Sequence, residues 1–126
     1  MLQRYKSYRG KRPPNDPLPK GTRQDTRKHT RHCLRPTKEM VEKYLGDTTA
    51  KAWAEFEREY LGVLKQRFAE DRMPFDQLAE SARELDIHLG CNCPTNANPD
   101  VNQCHTVLAL RFMKEKYPKL VVRFPD

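Results

Sequence analysis

The chain has 126 residues, of which 33% are charged and 37% hydrophobic, with a mean hydropathy of −0.95 and a formal net charge of +7. A chain of this length buries one ordinary core and hardly two, so a single domain is expected over 1–126. No apolar run approaches the roughly 18 residues that a membrane-spanning helix needs.

The charge is unevenly placed. Residues 1–36 hold eleven Lys/Arg against Asp16 and Asp25, a balance of +9, and the remaining residues hold thirteen against fifteen, a balance of −2. The basic character therefore belongs to a Pro-containing N-terminal segment, 1–36, and not to the helical and strand core expected over 37–126. The first twelve residues are charged with no apolar stretch behind them, so no secretory signal is read and a cytoplasmic location is expected. There the four cysteines stay reduced.

In chain order, Leu2 to Tyr8 alternates weakly and suits a first strand with basic exposed positions. Gly10 to Gly21 contains four prolines and two glycines, which excludes helix and central strand and leaves a loop or extended arm. Thr22 to Arg35 offers almost nothing apolar to bury and reads as a solvated strand-and-loop or a flexible basic strip. Thr37 is an N-cap for a short helix carrying Met40, Val41, Tyr44 and Leu45, with Gly46 as its C′ stop. Asp47-Thr48-Thr49 starts a second helix, whose stripe of Trp53, Phe56, Tyr60, Val63, Leu64 and Phe68 runs to about Glu70. Those aromatic side chains read as core and not as a base-stacking platform.

Arg72-Met73-Pro74 breaks that helix, and Phe75, Leu78, Ala79, Ala82 and Leu85 mark the next, with Pro74 near its first position. Ile87, Leu89 and Cys91 then occupy one side of a strand, with Asp86 and His88 on the other, where His88 reads as a surface or supporting residue. An Asn/Pro-rich loop, 92–103, leads to a helix over Cys104 to Tyr117 that Pro118 terminates. Leu120 to Phe124 reads as a closing strand. Strands alternating with helices predict an α/β layer fold with a small, mostly parallel sheet and helices packed on it.

Three of the four cysteines gather at one strand-to-helix junction, the place where α/β folds commonly hold ligands. The spacing C-x-C-x10-C-H, from Cys91 through Cys93 and Cys104 to His105, supplies zinc-type ligands. Cys33 with His29 or His32 completes a tetrahedral set if the basic segment folds back. Alternatively Cys104 or Cys91 is a thiolate nucleophile stabilised at a helix N-terminus, with His105, His88 or His32 as base. Plain packing is the third reading, because free cysteines are among the most buried residue types.

Three separated motifs carry a family resemblance: R-P-T-K-E-M-V-E-K-Y-L-G-D, A-W-A-E-F-E-R-E-Y-L-G-V-L-K, and L-G-C-N-C-P followed by Q-C-H-T-V-L. Over about Arg35 to Tyr117 the chain resembles bacterial and archaeal proteins of domain-of-unknown-function family 488. In those a strand ending in Gly-Cys-x-Cys leads through an acidic loop to a Cys-His-Arg helix start. The resemblance implies Rossmann-like layering, no established activity, and site positions at Cys91, Cys93, Cys104 and His105, with basic residues of the N-terminal half lining the cleft. Two departures stand out: Thr106 replaces the Arg after Cys-His, and the loop is longer and short of acidic residues.

The expectation is a small α/β protein whose Cys/His junction binds a phosphate-bearing ligand, a nucleotide or nucleic acid, with Arg23, Arg27, Arg31 and Arg35 supplying attraction to phosphate. Tyr5 and Tyr8 would stack on bases. The alternatives are a cysteine-nucleophile enzyme using Cys104 and His105, or a structural zinc protein using Cys91, Cys93, Cys104 and His105.

Overall fold

A computed structural model describes residues 1–125. Its centre is a three-stranded, all-parallel sheet in the order β1-β3-β2, formed by β1 (Leu2–Lys6), β2 (Thr22–Asp25) and β3 (Ile87–Cys91). Four helices complete the layers: α1 (Lys38–Gly46), α2 (Ala50–Glu70), α3 (Met73–Glu84) and α4 (His105–Lys116). This is the small α/β layered domain that the alternating pattern predicts.

The central strand is β3, pairing Leu2↔Ile87 through Lys6↔Cys91 on one side and Thr22↔Ile87 through Asp25↔Gly90 on the other. All five of its residues are buried, as a parallel strand covered on both faces requires. The two covers differ. The path from β2 to β3 through α1–α3, and from β3 through α4 to a bridge beside Leu2 at Val122, steps across the sheet in one direction. The path from β1 to β2 steps in the other. Right-handed crossovers therefore put the helices on one face and send Ser7 to Gly21 across the opposite face.

His88 shows the consequence. It is 6% exposed, and its Nε2 lies 2.8 Å from the Lys20 carbonyl of that crossing segment. The expected surface position of His88 is thus corrected: the proline-rich segment lies over the sheet as a lid of backbone. Tyr5 shares this face, its ring packed so closely on Gly90 that a Cβ there would meet it at 2.8 Å.

The helices start where short polar side chains cap them. Thr37 accepts from the Met40 amide at 3.2 Å and Thr49 from the Ala52 amide at 3.1 Å, each satisfying a donor that helix geometry leaves orphaned. Gly46 is the last residue of α1 and not a stop beyond it, since Asp47 takes the cap position. Leu85 caps α3 and is 54% exposed, outside the stripe assigned to it. Along α2 the rings of Trp53, Phe56 and Tyr60 stack with centroids 5.3 and 5.8 Å apart. Tyr60 is fully buried and donates its hydroxyl to the Leu34 carbonyl at 2.6 Å, tying the basic segment to the core.

Helix α4 is buried from His105 through Leu110 and again at Phe112 and Met113, so it is the helix at the middle of the core. The expected closing strand at Leu120–Phe124 is reduced to a single parallel bridge, with Leu2 donating to Val121 and accepting from Arg123 at 2.9 Å each. Leu120 is buried, but Val121 and Phe124 point to solvent at 63% and 41%, which leaves no continuing ladder or apolar face to extend it. Among the described residues no helix is long and apolar enough to cross a membrane.

Candidate functional site

The carboxyl ends of the three strands and the N-terminus of α4 surround one cleft of about 740 Å³, the position at which open parallel sheets bind ligands. Cys91 ends β3 on the helix-covered face, Cys93 follows in the loop, and Cys104 is the N-cap residue of α4. Sheet alternation and the return of the loop bring their sulfurs within 4.8 Å of one another. All three line the cleft. Cys91 and Cys104 are buried, Cys93 is half-buried, and all four cysteines are free thiols.

The cluster shares its protons unequally. Thiols of Cys91 and Cys93 donate to Cys104, and this, against the cost of burial and with help from Arg4 and the Thr106 hydroxyl, holds Cys104 well below the usual thiol range. The same hydrogen bond to Cys104 is what raises Cys91 and Cys93 above that range. Thr106 Oγ1 lies 3.2 Å from Cys104 Sγ, and Asn98 Nδ2 donates to Cys93 Sγ at 3.3 Å. The Cys104 sulfur is therefore surrounded by hydrogen-bond donors. Arg4 Nε donates to Thr106 Oγ1 at 2.9 Å, so a guanidinium from β1 stands where the residue after Cys-His is threonine.

His105 is directed elsewhere. Thr26 donates its hydroxyl to the Gly90 carbonyl at 3.1 Å and lies 2.8 Å from His105 Nε2, which therefore carries the ring proton. Nδ1 is left 4.0 Å from Cys104 Sγ, longer than direct proton transfer uses. Burial pushes the ring down to about 4, so it is neutral at pH 7. Its edge packs against Tyr60, with centroids 5.8 Å apart.

The basic segment does fold back, in a different arrangement from the tetrahedral set considered above. Cys33 stays outside the sulfur cluster, its carbonyl accepting from Arg67 at 2.9 Å. His32 is held by Gln24 and by the Leu34 amide, and His29 lies at the rim, 3.7 Å from Asp25. Of the four arginines singled out by charge density, Arg27 alone lines the cleft, paired with Asp25 at 2.8 Å. Arg23 lies on the loop-covered face and donates to Pro19, Arg31 is exposed, and Arg35 donates to the His32 carbonyl.

The cleft takes its other cations from Lys6, Arg9 and Lys28, which the sequence reading did not single out. Val41, Tyr44, Leu45, Trp53 and Phe56 belong to its apolar lining, and among the described residues no Asp or Glu lines it. Trp53 is half-buried and Phe56 buried, and both line the cleft, so the aromatic stripe is core at Tyr60 but forms cleft wall at Trp53 and Phe56. Tyr8 also lines it, its hydroxyl bound by Asp16 at 2.6 Å, whereas Tyr5 packs beneath the sheet on Gly90.

Fold and site together define a small parallel α/β domain with a cysteine-floored cleft at the carboxyl end of its sheet. The chain belongs to the DUF488 family: residues 8–117 match the model of the active DUF488-N3 subclade, which extends the resemblance into the basic segment and over most of the sequence. No curated protein and no solved structure matches it.

Proposed function

We propose that the cleft binds a phosphate-bearing ligand of the nucleotide class. One observation carries this reading: a single cleft of about 740 Å³ is lined by Lys6, Arg9, Arg27 and Lys28, by an apolar set including Trp53, and, among the described residues, by no carboxylate. The cations attract phosphate, and the apolar side chains suit a base or sugar. The volume falls in the range of small-molecule sites, which favours a free nucleotide over a nucleic-acid strand.

Trp53 is the only tryptophan, so its fluorescence reports on the cleft. Titration with the four common nucleoside 5′-monophosphates and with the parent nucleosides tests the reading. Quenching by at least one monophosphate, weakening steeply with salt and largely lost for its nucleoside, is the expected result. Equal response to nucleoside and nucleotide, or binding indifferent to salt, removes the phosphate from the account.

A second reading concerns the cluster, and the convergence of three sulfurs within 4.8 Å favours it: Cys91, Cys93 and Cys104 hold a zinc ion. It suits a reducing compartment such as the cytoplasm, where the thiols stay free to ligate. Metal analysis of protein purified without chelator should return about one zinc per chain. A metal-free, fully folded protein under those conditions would leave the cluster to thiol chemistry, with Cys104 as the charged sulfur.

A further inference from the structure

We infer that the cysteine cluster is an open metal centre: three thiolates hold a zinc-class divalent ion whose fourth coordination position faces the cleft and takes water or a donor atom of the bound ligand. The inference rests on the zinc reading above and adds the coordination number, which separates a catalytic type of site from a structural one.

A tetrahedral zinc–thiolate site with bonds of about 2.3 Å sets its sulfurs roughly 3.8 Å apart. Sulfurs already within 4.8 Å of one another reach that spacing by small side-chain movements. A closed site needs a fourth protein ligand, and none is in place. Among the described residues no further His, Cys, Asp or Glu joins the three cysteines. His105 spends Nε2 on Thr26 at 2.8 Å and stays outside the set of ligand atoms that all lie within 4.8 Å of one another. His32 uses both ring nitrogens, on Gln24 and on the Leu34 amide.

Access points the same way. All three cysteines line the cleft, so an ion among them is reached from it. Around the sulfurs, Asn98 donates to Cys93 and Thr106 to Cys104, the kind of outer hydrogen bonding that orients ligands and tunes a metal. Three thiolates on a divalent ion leave one negative charge, and the Arg4 guanidinium is held beside it through Thr106.

Cobalt(II), titrated into the full chain prepared metal-free under reducing conditions, tests this. One equivalent should bind with thiolate-to-cobalt charge transfer and the intense visible bands of a four-coordinate ion. Azide should then shift the visible bands and leave the charge transfer in place. Cys93→Ser, at the half-buried position, should lower the charge-transfer intensity by about a third, as one of three thiolates, and Cys33→Ser should change nothing. No cobalt binding would bring down the zinc reading and this inference together. Cobalt bound with bands indifferent to azide would overturn the open position alone and leave a closed zinc site standing, as would loss of a nitrogen ligand in folded His105→Gln.

Discussion

Arg4 Nε donates to Thr106 Oγ1 at 2.9 Å, joining the first strand to the first turn of α4 across 102 positions of sequence. The same guanidinium donates through its terminal nitrogen to the Cys93 carbonyl, so one side chain fastens both the cysteine-bearing loop and the helix that carries Cys104. Thr106 brings no charge of its own to the helix start, and β1 provides the cation there. Arg4→Met keeps the aliphatic stem and removes both donors. It should lower stability by about 1–3 kcal/mol, because two partly buried acceptors lose a charged partner. Urea unfolding measures this, and faster alkylation of Cys93 should accompany it as the loop loosens. An unchanged midpoint would mean that water replaces the guanidinium at no cost.

His32 makes stability depend on pH. Its Nδ1 accepts from the Leu34 amide at 3.1 Å and its Nε2 lies 2.7 Å from Gln24 Oε1, an arrangement that fits only the neutral ring protonated at Nε2. Burial first, and then His105 and Arg35, push its pKa down to about 4 from an ordinary 6.5. The unfolded chain therefore takes up a proton before the folded one does. Stability is complete above about 6.5 and falls as pH drops from there towards 4, by up to roughly 3 kcal/mol from this residue. Denaturation midpoints between pH 7 and 4.5 should fall less in His32→Asn, whose amide oxygen can still accept from Leu34. Parallel curves for the two proteins would show that the acid loss arises elsewhere.

The elements with long, regular patterns were legible in the sequence. Helix α2 declares itself through an aromatic stripe from Trp53 to Phe68, and β3 through Ile87 and Leu89. At β2 the sequence left strand-and-loop and flexible strip both open over Thr22 to Arg35, because Thr-Arg-Gln-Asp offers no apolar alternation to decide between them. The strand exists through main-chain pairing to the exposed edge of β3, information held by another part of the chain. The site divided along the same line. Three cysteines at one junction could be read from spacing and the end of a strand. The cleft's cations could not be read from charge density, because alternation turns Arg23 to the far face while the residues just beyond Asp25 meet the cleft. Cys33 is the converse case: its type matches the cluster, but Arg67 holds its backbone under α2.

Two glycines should respond in opposite directions. Gly21 enters β2 with φ at 109°, and a Cβ there would lie 2.7 Å from the Asp86 carbonyl oxygen, which also accepts from the Thr22 amide. Both the backbone angle and the rigid neighbour oppose a side chain, so Gly21→Ala should cost about 2–3 kcal/mol. Gly62 lies inside α2 with open space around it. Gly62→Ala should stabilise by about 0.5–1 kcal/mol through helix propensity. Thermal unfolding of the two variants checks both signs.

Position within the cleft, and not net charge, should decide which cations matter for the ligand. Arg9 and Lys28 are exposed and line the cleft, and Arg23 is exposed on the other face of the sheet. Each of Arg9→Ala, Lys28→Ala and Arg23→Ala removes one positive charge and disturbs little packing. At physiological ionic strength the screening length is about 8 Å, so a cation outside the cleft contributes little to a phosphate within it. Arg9→Ala and Lys28→Ala should each weaken nucleotide binding several-fold and flatten its salt dependence, and Arg23→Ala should leave both nearly unchanged. Equal losses from all three, measured through Trp53 quenching, would mean that the basic segment attracts ligand as a diffuse field and that the cleft has no special claim on the phosphate.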